Sequence, residues 1–129
     1  MGIWRGLTHN RAFTDDESPD PRLRPRTYAI PFVIVWEAAL AIARGTRGWT
    51  VTASDPLAGE IVAEATTRAW KFVDDVWIRI SLDEDGQTHV EMTSASRVGR
   101  ADLGTNARRI ARFLHALDAQ VLGDKRANR

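Results

Sequence analysis

Between residues 48 and 96 the chain alternates apolar and polar side chains in four successive runs, and each run is bounded by turn-forming residues. A period of two places alternate side chains on opposite faces of a strand, so these runs predict β-strands with one buried and one wet face. The first, Gly48 to Ser54, presents Trp49, Val51 and Ala53. The second, Glu60 to Thr66, presents Ile61, Ala63 and Ala65, and Asp55-Pro56-Leu57-Ala58-Gly59 between the two is turn chemistry. The third, Asp74 to Leu82, offers Val76, Ile78 and Ile80, and the fourth, Thr88 to Ser96, offers Val90, Met92 and Ser94. Consecutive strands of this kind, joined by short turns, form an antiparallel meander that needs a second layer on its apolar face.

That layer is supplied by helical patterns on either side. Pro31, suited to a first helical turn because it has no donor to waste there, opens a helix running to about Arg44, and Gly45 ends it. Phe32, Val35, Trp36, Ala39, Leu40 and Ala43 follow helical spacing, but Val33, Ile34 and Ile42 make this helix apolar nearly all round, so it is expected to be covered on more than one side. A second helix from about Thr105 to Leu122 carries one stripe, Ile110, Phe113, Leu114, Leu117 and Val121, and stops at Gly123. The predicted fold is α+β in two layers: a four-stranded antiparallel meander with two helices on one face and an additional edge strand over Arg26 to Ile30. Its element order resembles that of TATA-binding-protein-like or helix-grip sheets. Residues 1–27, with Pro19, Pro21 and Pro25 among scattered charges, read as an extended arm. Residues 28–123 form the single domain and 124–129 a frayed tail.

The register of the third and fourth strands decides where their polar residues go. A two-residue Asp85-Gly86 turn would set Ile80 opposite Glu91. A three-residue loop with Gly86 in the left-handed region sets Ile80 opposite Val90, Ile78 opposite Met92 and Val76 opposite Ser94, and puts Arg79 beside Glu91 as a cross-strand charge pair. The second arrangement keeps apolar residues together and is the one expected. It sends Asp74 inward, opposite Ser96, toward the start of the last helix, where Ser96, Arg109 and the amides of 104–106 are available as donors. It sends Asp75 outward, opposite Ala95 and diagonal to Arg97. Trp77 falls on the wet face near Val62, as an interaction-surface candidate.

Composition removes several function classes. With no cysteine there are no disulfides, thiolate metal sites or cysteine nucleophiles, and a reducing compartment, the cytoplasm, is expected. Eighteen Lys and Arg against 17 Asp and Glu leave a formal charge of +1. Acids dominate the strands and bases dominate residues 97–129, but arginines on a helix face are ordinarily solvated or paired, so no nucleic-acid partner is expected. The apolar run from Ile30 to Ala43 is too short and too interrupted to span a membrane. His9, His89 and His115 are scattered without metal-ligand spacing, and no cofactor is implied.

The stretch Phe72-Val73-Asp74-Asp75-Val76, followed by Ser94-Ala95-Ser96-Arg97-Val98-Gly99, then Asp102-Leu103-Gly104, Asn106 and Arg109-Ile110, resembles the signature of a widespread bacterial and plastid family catalogued as domain of unknown function 1499. The resemblance covers about residues 28–120. It implies that any shared role is carried by Asp74, Asp75, Ser96, Arg97, Gly99, Asp102, Gly104, Asn106 and Arg109. Many relatives also carry a cysteine motif near the N-terminus, often after an export or lipoprotein signal; here Asp16-Glu17-Ser18-Pro19-Asp20-Pro21 stands in the comparable region.

The family brings no established activity, so function rests on the residues. The cluster offers charge and hydrogen-bond donors without a nucleophile beside a base, which favours a non-catalytic module that binds a small molecule or a protein. The alternatives are a metal-dependent hydrolase using Asp74 and Asp75, and a structural or assembly protein pairing, as a homodimer, through the outer sheet face around Trp77 and Val62.

Overall fold

A computed structural model of the chain describes residues 11–68, 71–97 and 103–123. The hairpin at the centre of the sheet explains the rest. Strands β5 (Val73–Leu82) and β6 (Thr88–Ser96) pair antiparallel with Ile80 opposite Val90, Ile78 opposite Met92, Val76 opposite Ser94 and Asp74 opposite Ser96, the register expected from a three-residue loop. Gly86 sits at φ +75°, and the Asp83 carboxylate accepts from the amides of Asp85 and Gln87 at 2.9 and 2.8 Å. Arg79 does stand opposite Glu91, but the expected charge pair is not formed: Glu91 turns along its own strand, where its carboxylate lies 3.3 Å from His89 Nε2.

Strands β3 (Trp49–Asp55) and β4 (Glu60–Thr66) continue the sheet on the β5 side. β4 follows its predicted alternation, with Ile61, Ala63 and Ala65 buried. β3 does not. The register slips between Val51 and Ala53, so that Thr52 bulges, Ala53 faces Val62 and Ser54 faces Ile61. One extra residue inverts the alternation beyond it, which turns Ala53 out to solvent instead of into the core.

The other edge of the sheet is built from the N-terminal segment. Within the stretch read as an arm, β1 (Arg11–Phe13) pairs with residues 93–95 of β6, and β2 (Arg26–Tyr28), in the expected edge strand, pairs with residues 88–90, giving six antiparallel strands in all among the described residues. Thr14 bridges the gap, its amide donating to the Met92 carbonyl at 2.9 Å and its hydroxyl accepting from the Met92 amide at 3.0 Å. A single 3-10 turn at Pro21–Leu23, capped by the Asp20 carboxylate, delivers Leu23 to the core beside Ala12 and Tyr28. Tyr28 donates to Asp118 at 2.6 Å and Arg26 pairs with the same carboxylate at 3.0 Å, fastening β2 to the last helix.

Helices α1 (Phe32–Gly45) and α2 (Leu103–Leu122) pack against each other and against the sheet. Val35, Trp36, Ala39 and Ala43 from α1 and Ile110, Phe113, Leu114 and Leu117 from α2 complete one core with the inward residues of β4, β5 and β6. Full burial of such side chains stabilises the fold by about 1.5–3 kcal/mol each, before chain entropy is set against it. The apolar circumference of α1 is not covered all round as expected: Val33 and Ile34 remain about half exposed, because the sheet and α2 meet this helix from the inner side. Among the described residues no helix is long and apolar enough to cross a membrane.

Candidate functional site

The open end of the β5–β6 hairpin meets the first turns of α2, and alternation decides which polar groups enter the interface. Asp74, Ser94 and Ser96 are inward positions on paired strands, while Asn106 and Arg109, three apart, share a face of α2. All but Arg109 are buried, and its side chain is only 11% exposed. The Arg109 guanidinium donates through one nitrogen to Asp74 Oδ2 at 2.8 Å, to Asn106 Oδ1 at 2.9 Å and to Ser94 Oγ at 3.1 Å. Ser94 Oγ in turn donates to Asn106 Oδ1 at 2.7 Å, and Asn106 Nδ2 donates to Ser96 Oγ at 3.0 Å.

This network binds its own members. Ser94 is not poised as a nucleophile, because its hydroxyl is spent on an amide oxygen and its oxygen faces a guanidinium. Desolvating a carboxylate and a guanidinium is tolerable only when every lone pair and proton finds a partner, and the ring of Ser94, Ser96 and Asn106 supplies neutral partners around the ion pair.

Asp75 faces the other way, as the register requires. Arg97 takes it in a two-pronged grip, Nη2 to Oδ1 at 2.8 Å and Nε to Oδ2 at 3.1 Å, and reaches Glu64 on β4 at 2.7 Å with the same terminal nitrogen. Glu64 and Asp75 are cross-strand neighbours, so one arginine neutralises two carboxylates that would otherwise repel. Hydrogen bonding to Asp75 first, and to Glu64 second, raises the Arg97 pKa above its ordinary value. The two aspartates therefore lie on opposite faces of the sheet, each with its own arginine, and among the described residues no three His, Asp or Glu side chains gather as a metal site.

Of the positions expected to carry function, Asp74, Ser96, Asn106 and Arg109 come together. Asp75 and Arg97 form the separate outer pair, and Gly104 lies in the first turn of α2. Gly99 and Asp102 fall outside the described residues. Trp77 and Val62 are direct cross-strand partners on the outer face, with Trp77 46% exposed.

Sequence reasoning missed the groove beside this network. A cavity of about 590 Å³ opens between the end of α1, the β3–β4 edge and α2; Arg47, Arg68, Arg108, Arg109 and Arg112 line it, and among the described residues no acid does. Arg47 is carried on the tight turn from α1 to β3, where the Trp49 amide donates to the Thr46 carbonyl at 3.1 Å. Arg68 is carried on the loop after β4, closed by the Thr67 amide on the Phe72 carbonyl at 2.8 Å and the Phe72 amide on the Thr67 hydroxyl at 3.0 Å. Arg108 and Arg112 are one helical turn apart on α2. Four elements contribute, so no local motif announces the groove. The arginine excess near the C-terminus was its one visible trace.

The model of a family described as "Protein of unknown function (DUF1499)" matches residues 7–117, reaching further toward the N-terminus than the motifs alone indicate. Among solved structures, a protein from Nitrosospira multiformis determined as a structural-genomics target is similar over 90% of this chain and 99% of its own, with a TM-score of 0.62 and 10% sequence identity. At that identity the likeness concerns the fold alone. No curated protein matches the chain.

Proposed function

We propose that this chain, which belongs to the DUF1499 family of proteins of unknown function, is a non-catalytic binding module for small anions. The observation that carries the reading is the set of five arginines lining the groove, with no acid beside them among the described residues. Arginines are ordinarily paired or dispersed; several facing one concavity repel each other, and a bound anion relieves that repulsion while accepting their planar, forked donors. Arg109 joins the groove to the buried Asp74 network, which ties the helix that presents Arg108 and Arg112 to the sheet.

Thermal-shift titration discriminates this module from a metal-dependent hydrolase. Phosphate or citrate at about a hundredfold excess over its Kd should stabilise the fold by about 2.7 kcal/mol. Arg68→Ala with Arg112→Ala should abolish the gain, separating site binding from general salting effects. A rise in melting temperature with magnesium, calcium or manganese and none with the anions would reverse the assignment.

A second reading rests on Trp77, whose large exposed ring sits against Val62 at the middle of the outer sheet face. It proposes self-association through that face. Light scattering should then report a dimer that Trp77→Ala dissociates, and a monomer for both proteins would end it.

A further inference from the structure

Resting on the anion-binding reading above, we infer that the groove's ligand is an organic dianion with a flat apolar body, of the aryl phosphate or aromatic dicarboxylate class, and not a bare oxyanion. Two features of the lining decide this. The charged rim is divided: Arg47 and Arg68 stand on the sheet side, Arg108 and Arg112 on the helix side. Arg47, Arg68 and Arg112 make no ion pair among the described residues, and the contact of Arg108 is a 3.5 Å approach to the Thr105 hydroxyl. With several guanidinium groups awaiting a counter-charge, one negative charge is too few, and a dianion meets both sides of the rim.

The floor between them is apolar. Ile42, Trp49, Ala65, Phe113 and Ala116 line it, and the Trp49 and Phe113 rings stack on each other at 5.7 Å with 7° between their planes. A bare phosphate covers none of that surface, whereas about 590 Å³ lies within the range of cavities that take whole organic ligands. An aromatic acid laid along the floor extends the existing stack while its acid groups reach the rim, an arrangement that uses dispersion and charge together.

Isothermal titration of the full chain at fixed ionic strength, with phenyl phosphate, phthalate, inorganic phosphate, benzoate and phenol as probes, tests the inference. Phenyl phosphate or phthalate is expected to bind about tenfold or more tighter than inorganic phosphate, from the apolar area covered, and tighter than benzoate by a similar factor. Which of the two leads tells phosphate monoester from dicarboxylate. Arg68→Ala and Arg112→Ala, both exposed and outside the core, should each weaken the better probe about fivefold or more. Inorganic phosphate binding as tightly as phenyl phosphate and phthalate would overturn the organic ligand and leave anion binding standing. Phenol binding as tightly as phenyl phosphate, or no anion binding at all, would overturn both.

Discussion

Removing the Asp74 carboxylate tests the anchoring of α2 most directly. Asp74 is fully buried, and its Oδ2 lies 2.8 Å from an Arg109 side chain that is 11% exposed. In Asp74→Ala the guanidinium keeps only neutral acceptors, Ser94 Oγ and Asn106 Oδ1, and sits beside a groove lined by four further arginines. Breaking a buried pair from one side costs about 3–5 kcal/mol, and the two surviving hydrogen bonds place this case near the lower end, at about 3 kcal/mol. For a chain of this size that corresponds to a melting point lower by about 10 °C. Asp75→Ala is the control. It removes an exposed partner of Arg97, leaves Glu64 in place and relieves the repulsion between the two carboxylates, so its loss should stay below about 1 kcal/mol. Urea unfolding of both variants beside the parent measures the contrast. Equal, small losses would mean that the Asp74–Arg109 pair does not hold the helix, and would make Asp74 a candidate for ligand contact instead of a strut.

Two further substitutions probe the frame. Gly59, at φ +73°, donates to the Asp55 carbonyl and accepts from the Ile80 amide, each at 2.8 Å, and a Cβ there would overlap the Ile80 carbonyl oxygen. Gly59→Ala should therefore cost about 3 kcal/mol in urea unfolding, against about 1 kcal/mol for Gly86→Ala, where φ is similar but nothing lies within 4 Å; equal losses would refute the steric argument. Tyr28 is the sole tyrosine, and burial, followed by its bond to Asp118, pushes its pKa well above the ordinary value. A raised folded pKa means that the unfolded chain releases the proton first, so stability is complete below the unfolded pKa of about 10 and falls as pH rises beyond it. Phenolate absorbance should appear together with alkaline unfolding, and Tyr28→Phe should flatten that limb; phenolate forming in the still-folded protein would contradict it.

Where sequence periodicity sufficed, and where it did not, follows from the range of the interactions. The faces of β4, β5 and β6 are legible because burial on one side imposes strict alternation, and Gly86 fixes the loop, hence the register, hence the opposite fates of Asp74 and Asp75. The pairing of Asp75 with Arg97 follows from that register. Glu64 joining them requires knowing how β4 lies beside β5, which no turn residue encodes. The bulge at Thr52 carries no glycine or proline to mark it, so Ala53 reads as inward when it is outward. The arginine groove is the extreme case: Arg47, Arg68 and the Arg108–Arg112 pair come from three separate stretches of the chain and acquire a common meaning only when α2 closes over the sheet.

The double seal on β6 has a consequence for how the molecule is made. The hydrogen-bonding partners of β1 and β2 are residues 88–95, synthesised some sixty to eighty positions after them. Ala12, Leu23 and Tyr28 have no surface to bury against until that last strand exists. The segment carrying β1 and β2 is thus made well before it can find its place, and the growing chain carries these apolar side chains uncovered until β6 follows, the interval in which a holding chaperone would have most to protect.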